Sequence, residues 1–129
     1  MKKVLLLCLL ALLPKLANAQ AADVTEINGL YFDLFKNINA SEGTCRFTTQ
    51  WSDPGVNAHS IYSGDIVIPE TVVHNGITYT VTTLGANVFH NSTVNSVRIP
   101  KTITEIQDQY NATSVRTIVC AVDNPNNLK

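Results

Sequence analysis

Apolar and polar residues alternate with a period of two in several stretches of the chain, which are punctuated by Pro, Gly and Asn. Leu30, Phe32 and Leu34 alternate with Tyr31, Asp33 and Phe35 just after Asn28-Gly29, which predicts a strand entered through a tight turn. A short Thr-rich run, Gly43 to Thr49, is placed to pair back on it. Thr71 to Val73 and Ile77 to Val81 flank His74-Asn75-Gly76, a hairpin signal because Asn and Gly accept positive φ. Within that hairpin Ile77, Tyr79 and Val81 share one face and Thr78, Thr80 and Thr82 the other, the pattern of a half-buried strand. Pro69 cannot donate to a ladder, so it is expected to end the strand Asp65 to Ile68. Between Thr48 and Ser60 lies TTQWSDPGVNAHS, the longest loop candidate, carrying the single tryptophan, Trp51.

The punctuation repeats. Ile66-Val67-Ile68-Pro69 matches Val97-Arg98-Ile99-Pro100 at an offset of 31, the inserted hairpin accounting for the excess length. Val81-x-x-Leu84 maps onto Ile103-x-x-Ile106 at an offset of 22, and Val94-x-x-Val97-x-Ile99 onto Val115-x-x-Ile118-x-Cys120 at 21. Apolar positions recurring every ~20–29 residues are a solenoid signature, in which each coil buries its apolar residues against the next.

The segment Val81-Thr-Thr-Leu84-Gly85-Ala-Asn-Val88-Phe89-His-Asn-Ser92-Thr-Val94-Asn-Ser-Val97-Arg-Ile99-Pro100-Lys-Thr-Ile103 resembles the BspA-like leucine-rich repeat of bacterial surface proteins. Tyr62 to Val81 is similar to that family's lead-in, and Ile118 through Pro125 to its closing coil, so the resemblance spans Tyr62 to Pro125. Ser92 stands where the family usually has Cys, and the last coil carries Gln107 in place of the Gly and lacks the Ala-Phe pair. The resemblance implies a mainly β chain: a short solenoid of about two coils, with the hairpin Ile27 to Thr49 as an N-terminal cap. It also implies adhesion or binding to proteins or host surfaces.

Composition adds an address. Lys2 and Lys3 precede the apolar run Val4 to Leu13 and then Ala17-Asn18-Ala19, a charged start, a short apolar stretch and a cleavage signal. The run is about half the ~20 residues a membrane span needs. The expected organisation is therefore residues 1–19 as signal peptide, 20–60 as hairpin cap and loop, and 61–129 as coils packed with the cap in one domain. The product is expected to be exported: periplasmic, on the cell surface or secreted. Beyond residue 19 six bases (Lys36, Arg46, Arg98, Lys101, Arg116, Lys129) face ten acids, a net charge of −4. Scattered bases on an acidic chain argue against nucleic acid, which requires a basic stripe.

No residue pattern names a reaction. His59, His74 and His90 are isolated in loop or turn contexts, read as solvated, and lack the spacing of a zinc site. Asp65 and Glu70 read as surface charge, and no Ser sits in a nucleophile elbow. The expectation is a protein without cofactor or catalysis. Asn39-Ala-Ser, Asn91-Ser-Thr and Asn111-Ala-Thr match a glycosylation pattern but read as Asn-rich turns. Cys45 and Cys120 are the two cysteines after residue 19; a bond between them, closing 75 residues, would stabilise by roughly 4–5 kcal/mol, while a buried free thiol suits the apolar setting of Cys120 equally.

Two surfaces stand out as candidates. If Ile66 and Ile68, Val97 and Ile99, and Ile118 and Cys120 point inward, alternation puts Val67, Arg98 and Val119 outward in one row, unusually apolar for a solvated face. That row is a candidate strip for a protein or glycan partner, or else β-propensity on a small sheet, or a face the hairpin covers. Trp51 is a second candidate anchor, against a Trp folded over the hairpin. An assembly role, with open strand edges pairing to another chain, is the alternative to binding, and the oligomeric state is left open.

Overall fold

The computed structural model describes residues 24–36, 38–50, 60–109 and 112–121. The proposed signal peptide and Trp51 lie outside those residues. Nine strands and no helix occur among the described residues: β1 Val24–Ile27, β2 Leu30–Lys36, β3 Glu42–Thr48, β4 Ser63–Val67, β5 Thr71–His74, β6 Ile77–Leu84, β7 Thr93–Ile99, β8 Glu105–Ile106 and β9 Thr117–Cys120. They form two sheets, one ordered β1-β2-β3-β6-β5 with β8 also on β6, the other β4-β7-β9.

Both Asn-Gly pairs make two-residue hairpin turns. Asn28 (φ 53) and Gly29 (φ 80) join β1 to β2, and Asn75 (φ 50) and Gly76 (φ 75) join β5 to β6. Both residues of such a turn need positive φ, which Gly accepts freely and Asn tolerates. Asn39 and Asn91 are also left-handed, so two of the three glycosylation-like triplets start in turns.

The coil-to-coil offsets are the strand registers. Ile66 pairs with Val97 in the parallel ladder of β4 and β7, Val97 with Ile118 in that of β7 and β9, and Leu84 with Ile106 in that of β6 and β8. Equivalent residues of successive coils are therefore lateral neighbours, as a solenoid requires. The three-residue step in Val81-x-x-Leu84 and Val94-x-x-Val97 marks a β-bulge. Cys45 pairs with Val81 but Arg46 with Thr83, which leaves Thr82 extra; Gly64 pairs with Val94 but Asp65 with Ser96, which leaves Asn95 extra. One extra residue re-phases the alternation, so both apolar residues of each pair face the core. The carbonyls of the extra residues bond to the next coil, Thr82 O accepting from Thr104 N and Asn95 O from Arg116 N, each at 2.9 Å.

The N-terminal hairpin is continuous with the coils. β2 and β3 pair antiparallel, and β3 then runs parallel to β6. Gly43 lies beside Tyr79 in that ladder, where a Cβ would sit 2.6 Å from the tyrosine ring, so the glycine lets the ring lie flat over the strand. One core serves both sheets, with Phe32, Cys45, Phe47, Tyr79 and Val81 from the larger and Val94, Val97 and Ile99 from the smaller. The strands of each Ile-Pro unit stop where the proline requires, β4 at Val67 and β7 at Ile99.

Candidate functional site

The three-stranded sheet carries the sequence-derived strip. Val67 pairs with Arg98 and Arg98 with Val119, so the three side chains stand in one row across β4, β7 and β9. Val67 is 63% exposed, Val119 45%, and Arg98 is exposed between them, while Val97 on the opposite face of β7 is 2% exposed. The guanidinium of Arg98 makes no hydrogen bond or ion pair among the described residues.

A second row on the same face is formed by Asp65, Ser96 and Thr117. Asp65 Oδ1 accepts from the Ser96 hydroxyl at 2.6 Å and from Asn95 Nδ2 at 3.3 Å. These two bonds, that of Ser96 foremost, hold the carboxyl below its ordinary range. Asp65 and Glu70 are both exposed, and the Glu70 backbone carbonyl accepts from Val81 N.

The inner face is closed at the middle strand and open at the last. Ile118 and Cys120 were expected to point into the core, yet Ile118 is 63% exposed and Cys120 is exposed as well. They continue the inward row of Ile66 and Val97, but β9 is the last strand of its sheet and no described strand lies beyond it.

The weighed cross-link between Cys45 and Cys120 is not formed; both thiols are free. The two residues belong to different sheets, Cys45 between Leu34 and Val81 in the larger and Cys120 opposite Ile99 in the smaller. Burial pushes the Cys45 thiol up to about 12, so it stays protonated and unreactive.

His90 departs from the solvated reading of the histidines. It is buried in the turn before β7, its carbonyl accepting from Ser60 N at 2.9 Å and its amide donating to Asn87 O at 3.1 Å. His74 is half-buried at the end of β5, and His59 lies outside the described residues. Among the described residues no group of three His, Cys, Asp or Glu side chains is arranged to hold a metal.

Two structural features have no counterpart in the sequence reading. Asp33 is fully buried and opposed in register by Arg46, whose Nε donates to Asp33 Oδ2 at 2.7 Å and whose Nη2 donates to the same oxygen. Tyr62 is buried against Phe47, ring centroids 5.2 Å apart, and ties the entrance of the coils to the N-terminal strands. The signal for the first was an Asp among the apolar residues of β2 and an Arg between Cys45 and Phe47 of β3; for the second, a Tyr at the head of the lead-in motif.

A scan against protein-family models and a search of curated proteins return no match. Solved structures do match. A leucine-rich cell surface protein from Faecalibacterium prausnitzii A2-165 superposes with a TM-score of 0.58 at 25% identity, over 86% of this chain and 27% of its own. A leucine-rich-repeat protein from Bacteroides capillosus matches with a TM-score of 0.54 at 16% identity, over 76% and 65% of the two chains. The pneumococcal vaccine antigen PcpA matches with a TM-score of 0.53 at 17% identity, over 78% and 27%. The chain thus spans about a quarter of the first and third of these proteins and about two thirds of the second. It has their mainly β, leucine-rich-repeat fold, in agreement with the resemblance carried by the Ile-Pro repeat.

Proposed function

We propose that the protein is an exported, non-catalytic binding protein of adhesion type, acting by surface contact with a protein or glycan partner through the outer face of β4, β7 and β9. The observation that carries this reading is the exposed, in-register row Val67, Arg98 and Val119. A solvated outer face ordinarily alternates to polar residues, whereas two of these three are aliphatic. One structural neighbour is a cell surface protein, which supports the address. The test is binding of the protein to immobilised matrix proteins, mucins and glycans, beside Arg98→Glu. Saturable binding lost in the variant supports the reading; silence across the array sinks it.

A second reading, assembly with further chains, is favoured by one observation: the last strand, β9, leaves Ile118 and Cys120 of the inward row exposed beside an edge with no described partner. Such an edge is a template for strand pairing. Sedimentation at increasing concentration separates the two: an ordered oligomer abolished by Ile118→Lys supports assembly, a persistent monomer supports the binder.

A further inference from the structure

We infer that the outer face of the three-stranded sheet is built to receive a carboxylate side chain from a protein partner, with Arg98 as its anchor and Val67 and Val119 as apolar shoulders. This rests on the surface-contact reading and adds the chemistry of the partner.

Arg98 stands on the central strand of its sheet, exposed, with no bond from its guanidinium to any described residue. Its natural intramolecular partner is nearby. Asp65 lies opposite Ser96, two residues before Arg98 on the same face, the diagonal position about 7–8 Å away that long side chains span. Asp65 does not take that option. Its Oδ1 is engaged by Ser96 Oγ at 2.6 Å and by Asn95 Nδ2 at 3.3 Å. Asn95 is the extra residue of the β7 bulge, so the irregularity that re-phases the strand also brings a second donor to Asp65. Asp65 Oδ1 is thus held within its own row by Ser96 and Asn95, and the Arg98 guanidinium, bonded to no described residue, is open to an outside anion. Arg46, by contrast, is paired internally with Asp33.

The shoulders define what carries the anion. Neighbouring strands lie ~4.8 Å apart, so Val67 and Val119 flank Arg98 on its two sides, one strand away on each. Once covered, they exclude water and strengthen a charge-assisted pair, which a planar guanidinium makes in a two-bonded fork with a carboxylate. The valines favour an apolar neighbour of the anion over a sugar ring, whose hydroxyls would find partners only in the adjacent row of Asp65, Ser96 and Thr117. A protein segment answers both requirements, presenting Asp or Glu between aliphatic or aromatic side chains.

The experiment uses the full chain on an array of synthetic peptides that carry one Asp or Glu between apolar residues. Each has a counterpart with Asn or Gln, and sialylated and uronate glycans form a separate arm. The expected result is binding of acidic peptides that weakens at least about tenfold with the amide counterpart, and equally with Arg98→Gln, with partial recovery in Arg98→Lys, which keeps charge but not the fork. Circular dichroism of each variant checks that the fold is retained. Equal binding of acidic and amide peptides, no effect of Arg98→Gln in a folded variant, or binding confined to the glycans each overturns the inference. Binding to matrix proteins that is indifferent to the acid leaves the surface-contact reading standing while this one falls.

Discussion

The hydroxyl of Tyr62 donates to the backbone carbonyl of Thr48 at 2.6 Å and accepts from the amide of Tyr31 at 3.0 Å. Tyr31 and Thr48 are register partners at the end of the β2–β3 ladder, so the phenol is spliced into that ladder in place of a further rung. Burial raises its pKa, and it remains a donor through the physiological range. Tyr62→Phe keeps the stacking on Phe47 but removes the bonds to the Thr48 carbonyl and the Tyr31 amide. The expected loss is about 1–3 kcal/mol, read as a lower urea midpoint at unchanged m-value. An unchanged midpoint would show that the hydroxyl is not what joins the coils to the N-terminal strands.

The Asp33–Arg46 pair makes a second, sharper prediction. Arg46→Leu leaves a carboxylate at full burial without its cation, a change expected to cost about 3 kcal/mol or somewhat less, since Arg46 is 24% exposed. The double variant Asp33→Leu/Arg46→Leu is expected to recover most of that loss, because an apolar pair of similar size carries no desolvation cost. Chemical denaturation of the two singles and the double decides it; additive losses would contradict the account.

The two thiols are expected to differ in reactivity. Alkylation of the native protein, followed by peptide mapping, should label Cys120 and spare Cys45, which is buried and shifted to about 12. Denaturation should bring Cys45 to the same extent of labelling. Equal labelling in the native state would mean that β3 opens far more readily than its burial implies.

Asp65 predicts a pH effect of definite sign. Its folded-state pKa lies below the ordinary 3.8, through the bonds from Ser96 and then Asn95, so its contribution is present above 3.8 and is lost as pH falls through the folded value. Ser96→Ala should return the carboxyl toward the ordinary value in a carbon-detected NMR titration. No movement would leave the bond network of the outer face without support.

How much of this was legible depended on whether the information was local or lay in the register. The Asn28-Gly29 and Asn75-Gly76 turns could be read because positive φ is a property of the dipeptide itself. The stacking of Ile66 on Val97 and of Val97 on Ile118 could be read because a solenoid turns a sequence offset directly into a lateral pairing. Asp33 could not. Alternation placed it outward, and its partner Arg46 is fixed only by the β2–β3 register. β1 was missed for a related reason: four residues offer too little periodicity to distinguish a strand, and it forms because Asn28-Gly29 returns it onto β2. The outward row was derived from alternation, but the exposure of Ile118 and Cys120 was not, since a periodic pattern does not show where a stack lacks cover.

The most direct test of the central claim is a map of the binding surface by charge. On any partner retained in the array, Val67→Glu and Val119→Glu are compared with Val73→Glu, an equally accessible valine on β5 of the other sheet. The account predicts that each of the first two weakens binding at least about tenfold while the third leaves it unchanged. Binding that survives both strip variants, or that is lost with Val73→Glu instead, would contradict it.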